Sequence, residues 1–201
     1  ARRRRSRPRS ALWPGRGRLW GLVPAGIGAV LLLTLQPPDL LGSGDGRHVG
    51  LTGVLPGEVL VLRAGREGYA RDTLLELAGM SGTPRALDQW SGAHCNVDLC
   101  LVQIRRGGRV WSLLLTRTRD RLPARALTAA CRQVDVVISD RWLPRSCRPR
   151  WLKADRHYLE RSGGLAIDLV DRAVVSVADS QGDHGWWIGP EPRRPRPVST
   201  R

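Results

Sequence analysis

The sequence predicts a mixed α/β domain carried behind a single N-terminal transmembrane helix. Three observations lead there. Residues 1–18 hold eight arginines and no acid, and they run into LWGLVPAGIGAVLLLTL, residues 19–35, which are 17 residues without a charge. Beyond that, short apolar runs with strand-like alternation and runs with helical spacing follow each other through residues 39–187. Four cysteines, Cys95, Cys100, Cys131 and Cys147, all fall in this body. A length of 201 residues suits one domain with appendages.

The apolar segment sits at the lower limit for a spanning helix. Arg16 and Arg18 are placed to reach headgroups, and Trp13 and Trp20 suit the membrane interface. Gln36-Pro37-Pro38 stops the helix, because proline disfavours helical geometry in the residue before it. Pro24, Gly26 and Gly28 are tolerated in lipid. The competing reading is a secretory signal peptide. Against it, no small-x-small cleavage site follows Leu35. The positive-inside rule puts residues 1–18 in the cytoplasm and the body outside it. Basic residues beside a membrane helix set topology and bind anionic lipid, so this run is not by itself a nucleic-acid signal.

The formal charge of +15 is unevenly spread. Within 39–189 there are 21 basic and 17 acidic residues, and segment 105–161 alone has 15 basic against 5 acidic. A basic middle third thus lies between two mildly acidic flanks.

In the body, 48–54 and 59–63 read as strands around Pro56-Gly57, and 69–78 as a helix ended by Gly79. Residues 82–92 read as a loop. Segments 99–105 and 109–116 flank Gly107-Gly108, a strong hairpin signal. Residues 123–132 read as a helix opened by proline. The run 134–139 reads as a strand buried on both faces, and 142–151 as a Pro/Arg-rich loop. Residues 165–170 and 174–177 read as a second hairpin turning at Asp171-Arg172. The Pro/Arg-rich tail, 188–201, reads as disordered.

An even cysteine count outside the cytoplasm points to disulfides. Cys95–Cys100 and Cys131–Cys147 are favoured among the three pairings because each closes a local loop. Free thiols and a zinc site remain the alternatives. Zinc fits poorly, since four and fifteen residues separate the members of the two pairs.

Gly42-Ser43-Gly44-Asp45-Gly46 has the look of a phosphate loop, but it lacks the lysine and opens a strand, so it reads as a turn. His48, His94, His157 and His184 make no metal-binding pair by spacing. Asp45 with His48, and Asp183 with His184, read as solvated turns. No nucleophile, base and oxyanion donor assemble, so no catalytic residue, metal or cofactor is expected. In the basic third, Arg105, Arg106, Arg109, Arg117, Arg119, Arg121 and Arg125 form a candidate stripe that would neutralise phosphates without reading bases. On this reading Arg105, Arg106 and Arg109 flank an exposed turn and are dispensable for folding. Trp111, Trp142 and Trp151 are interleaved with these charges; stacking on exposed bases is one reading of them, and a place in the core is the one expected.

PDLLGSGDGRHVGL after an apolar helix, CNVDLCLVQIRRGGRVWSLL, ACRQVDVVISDRWLPRSCRPRWLKADRHYLERSGGLAI and HGWW together resemble the C-terminal end of the ComEC competence membrane protein of alphaproteobacterial type. The resemblance covers residues from about 19 to 187. It implies a reduced metallo-β-lactamase-like fold, a bacterial inner-membrane location with the C-terminal domain periplasmic, and a part in uptake of single-stranded DNA. The implied partners are single-stranded DNA, the lipid bilayer and the channel part of a ComEC-like protein. The His-x-His-x-Asp-His signature of the nuclease is absent, and so is the multi-helix channel. The expectation is therefore a partial ComEC-like protein with a DNA-contacting, non-catalytic domain. A divergent metal-dependent nuclease, or an envelope protein binding lipid or a protein partner, are the alternatives.

Overall fold

The computed structural model describes residues 20–34, 36–63, 68–118 and 123–182. The chain divides into two units, residues 1–36 and 37–201.

In the first unit, α1 spans Leu22–Thr34. Apolar side chains are exposed along the whole helix, from Leu22 and Val23 through Ile27 and Val30 to Leu33. The 17-residue expectation is thus corrected to 13 residues, with residues 19 and 35 outside the described set. At 1.5 Å per residue α1 is about 20 Å long, against about 30 Å of bilayer hydrocarbon. Among the described residues no helix is long and apolar enough to cross a membrane.

The second unit is a mixed α/β body built on two sheets. Strands β1 (Leu40–Gly42), β2 (Val49–Leu55), β3 (Glu58–Val61) and β4 (Arg85–Ala86) join two late strands, β10 (Leu165–Asp168) and β11 (Ala173–Ser176). Their order is β11-β10-β1-β2-β3-β4, with only the β3–β4 pair parallel. The other sheet has the order β5 (Ala93–Cys95), β6 (Leu99–Arg106), β7 (Arg109–Thr116), β8 (Val136–Ile138), β9 (Leu152–Ala154). It begins antiparallel and turns parallel at β7–β8–β9.

Alternation decides how the sheets meet. Along β6 the residues Cys100, Val102 and Ile104 are buried while Leu101, Gln103 and Arg105 are exposed. The buried set joins Trp111, Leu113 and Leu115 of β7 and Val136 and Ile138 of β8 in one core. Leu40, Leu51, Leu60 and Ile167 of the first sheet complete that core, so the two sheets pack face to face. Each outer face carries a helix. On the first sheet, α2 (Tyr69–Leu77) sets Leu74 against Leu41, Val59 and Val61. On the second, α3 (Ala124–Gln133) sets Leu127 and Cys131 against Leu114 and Val137. The layer order is helix, sheet, sheet, helix.

Gly107 and Gly108, both at positive φ, close the β6–β7 hairpin in the two-residue turn that suits strand twist. Two short helices end the body. In α4 (Arg156–Ser162), Asp155 accepts a hydrogen bond from the Tyr158 N–H as N-cap. In α5 (Val177–Gln181), Ser176 and Asp179 form a capping box.

Candidate nucleic-acid interface

Five of the seven stripe arginines lie in described residues, and the fold gives them different work. Arg106 leans inward at the end of β6. Its Nε donates to Asp39 Oδ1 at 2.6 Å and its Nη2 to the Thr52 carbonyl at 3.1 Å. Asp39 also accepts from the Leu169 N–H, so this ion pair bridges the two sheets. A side chain on Gly53 would collide with the Arg106 guanidinium, and its φ of +63° is one that favours glycine.

Arg109 donates to Asp135 Oδ1 at 2.7 Å and lies over the Trp111 ring. Asp135 is buried and accepts also from the Ser112 N–H, with Arg150 at 4.0 Å. Arg117 donates to Asp88 and to the Asn96 carbonyl. Only Arg105 on β6 and Arg125 on α3, both exposed, lack an ion pair among the described residues. Arg119 and Arg121 lie outside the described residues. The expectation that Arg106 and Arg109 are dispensable is corrected: they neutralise carboxylates that the fold has buried or half-buried.

A second arginine cluster, which the charge count did not single out, lies at the loop ends of β3 and β8. Arg63 reaches the carbonyls of Arg47, Thr116 and Arg117, and lies 3.5 Å from Asp140 Oδ2. Burial pulls its guanidinium below the ordinary arginine value, against the opposing pull of Asp140. Thr116 Oγ1 donates to this network at Ser139 and Asp140, both buried. The glycine-rich turn packs beside it: a Cβ on Gly46 would meet the Ser139 carbonyl at 2.9 Å. The turn is held by its own contacts. Ser43 accepts from the His48 N–H, and Asp45 accepts from Ser43 and from the Arg47 N–H. Burial alone would raise the Asp45 carboxyl, but the Ser43 and Arg47 hydrogen bonds and the nearby His48 and Arg47 side chains hold it below its ordinary value. The reading of this segment as a turn into a strand holds.

All four cysteines are paired as Cys95–Cys100 and Cys131–Cys147, with no free cysteine. This removes the free-thiol and cysteine-zinc alternatives. Cys95 and Cys100 are register partners across β5 and β6. Cys131 and Cys147, both buried, tie α3 to the loop before β9. His48, His94 and His157 occupy separate elements, and His184 is outside the described residues. Among the described residues no three His, Cys, Asp or Glu side chains are grouped to hold a metal ion.

The tryptophans divide. Trp111 is buried in the shared core and Trp151 packs on it, ring centroids 5.4 Å apart. Trp142 is 65% exposed, which corrects its placement in the core. The loop that carries it is anchored at many points. Leu143 and Cys147 are buried, Lys153 Nζ donates to the carbonyls of Leu143 and Pro144, and the Arg150 N–H donates to Val134. Between those anchors Trp142, Arg145, Ser146, Arg148 and Arg150 face solvent.

Comparison with family models, curated proteins and solved structures finds no match to this chain.

Proposed function

We propose that this chain is a membrane-tethered binding domain on the outer side of the bacterial inner membrane, and that its ligand is the backbone of single-stranded DNA. In this reading it corresponds to the C-terminal part of a ComEC-type uptake protein, with a reduced metallo-β-lactamase-like body. The observation that carries the reading is the sorting of charge in the basic third. Of its described acids, Asp135, Asp140 and Asp155 are buried, and Glu160 is paired with Arg156. Arg105, Arg125, Arg132, Arg145, Arg148, Arg150 and Arg161 are exposed. Among the described residues the outer surface of this segment is therefore mainly cationic, and a polyanion is the partner such a surface attracts.

Three further observations support the rest of the reading. The body packs two mixed sheets with helices on their outer faces, in keeping with the mixed α/β domain that the resemblance implies. The two disulfides suit an oxidising compartment. A helix apolar on every side suits lipid. The DNA reading is tested by fluorescence anisotropy on the full chain in detergent, with the eight arginines of residues 1–18 replaced by glutamine. Labelled dT and mixed-sequence oligonucleotides should bind at low salt with similar affinity, because backbone contacts do not read bases. No binding at low salt overturns the reading.

A further inference from the structure

The stripe arginines that the fold consumes in ion pairs leave open where a strand of DNA would lie. The geometry points to the loop 141–151, stapled by Cys131–Cys147, as the docking edge for single-stranded nucleic acid, with Trp142 stacking on a base and Arg145 and Arg148 holding flanking phosphates. This rests on the reading above that the chain binds single-stranded DNA. It moves the contact away from Arg106, Arg109 and Arg117.

Three features of the loop carry it. The first is order without structural use of the charges. The backbone is fixed by Leu143, by the Lys153 bonds, by the disulfide and by the bonds of Arg150 and Trp151 N–H to Val134 and Asp135 carbonyls. None of these anchors uses the Arg145 or Arg148 side chain, and neither has an ion-pair partner among the described residues. The second is crowding. Arg145 and Arg148 line one groove together with Cys147, Pro149, Trp151 and Lys153, whose ammonium is already met by Asp155 Oδ2 at 3.3 Å, so the uncompensated charge there is that of the two arginines. Cations held together on a fixed loop repel each other unless an anion lies between them. The third is Trp142. The Arg156 guanidinium lies 5.4 Å from its ring centroid, and the ring is still 65% exposed. An exposed aromatic on the same anchored loop as two arginines without ion-pair partners among the described residues is the set of parts that single-strand binders use, because every base has a face to stack and every nucleotide a phosphate. An anionic lipid surface would also take the arginines and an interfacial indole, so vesicles are the probe that separates the two partners.

The test uses the full chain with the arginines of residues 1–18 neutralised, and three probes: a dT oligonucleotide, an abasic oligonucleotide of the same length, and anionic phosphatidylglycerol vesicles. Trp142→Leu should weaken dT binding by about tenfold, the scale of one lost base stack, and leave the abasic probe unchanged. Arg145→Gln with Arg148→Gln should weaken both oligonucleotides and lower the log–log salt slope by about 1.4, two contacts at roughly 0.7 each. All three side chains are exposed, so circular dichroism and an intact-mass count of disulfides should match the parent. If the parent chain binds dT and these variants bind it as tightly, this loop is not the edge, while the DNA reading stands. If the parent binds vesicles and not the dT oligonucleotide, both readings fall.

Discussion

At the scale of single residues, burial decides which arginines are structural. Asp135 is enclosed and accepts from Arg109 and from the Ser112 N–H. Asp135→Ala should destabilise the body by about 2–3 kcal/mol in urea unfolding, since it strands a backbone donor and an arginine. Arg105→Gln should change stability by less than about 0.5 kcal/mol, because that side chain is exposed and has no ion-pair partner among the described residues. Equal effects of the two would refute this division of labour. Asp45 supplies a pH signature. Hydrogen bonds from Ser43 and the Arg47 N–H, against the opposing effect of burial, hold its carboxyl below the ordinary carboxylate value in the fold. Its contribution is therefore present above the unfolded value and is lost as pH falls through the folded value, below about pH 4. Asp45→Asn should lower the urea midpoint at pH 7, and the gap from the parent should close on acidification. A gap that does not narrow at all as pH falls below the unfolded carboxyl value would show that the turn, not the charge, is responsible. None of these partners was legible in the sequence. Asp39 and Arg106 are far apart in the chain and meet only because two sheets pack face to face. Charge counting therefore saw seven equivalent arginines where the fold has two kinds.

At the scale of elements, legibility followed length and turn chemistry. The Gly107-Gly108 hairpin and the 69–78 helix were readable because each has a period or a turn long enough to show, and the strand buried at Val136–Ile138 because it lies in the mostly apolar run 134–139. Strands β1, β5 and β9, of three residues each, carry no period of their own and exist by pairing with longer neighbours. Helices α4 and α5 are seven and five residues long and rest on their caps. The disulfide pairs were legible because each closes a local loop. Cys131–Cys147 closes 17 residues and should contribute about 3 kcal/mol by loop entropy, against about 2 kcal/mol for the six residues of Cys95–Cys100. Cys131→Ser with Cys147→Ser should thus cost more stability than Cys95→Ser with Cys100→Ser, as read by urea midpoints. The reverse order would mean that the β5–β6 register depends on its disulfide more than α3 depends on its own.

At the scale of the whole molecule, the account joins a tether to a cationic body. A reporter active only in the periplasm should work when fused after Trp187, and activity of a cytoplasm-only reporter at that site would invert the topology. The central claim concerns the charge that the fold puts outside while it buries Asp135, Asp140 and Asp155. Its most direct measurement is the salt dependence of dT oligonucleotide affinity, taken on the full chain with the arginines of residues 1–18 neutralised. Each phosphate held by an exposed arginine releases counterions, so log affinity should fall linearly with log salt at roughly −0.7 per contact. With several arginines on one surface, the slope should be steeper than about −2. Affinity that does not change with salt, or a slope that survives neutralisation of every exposed arginine of 105–161, would contradict the account.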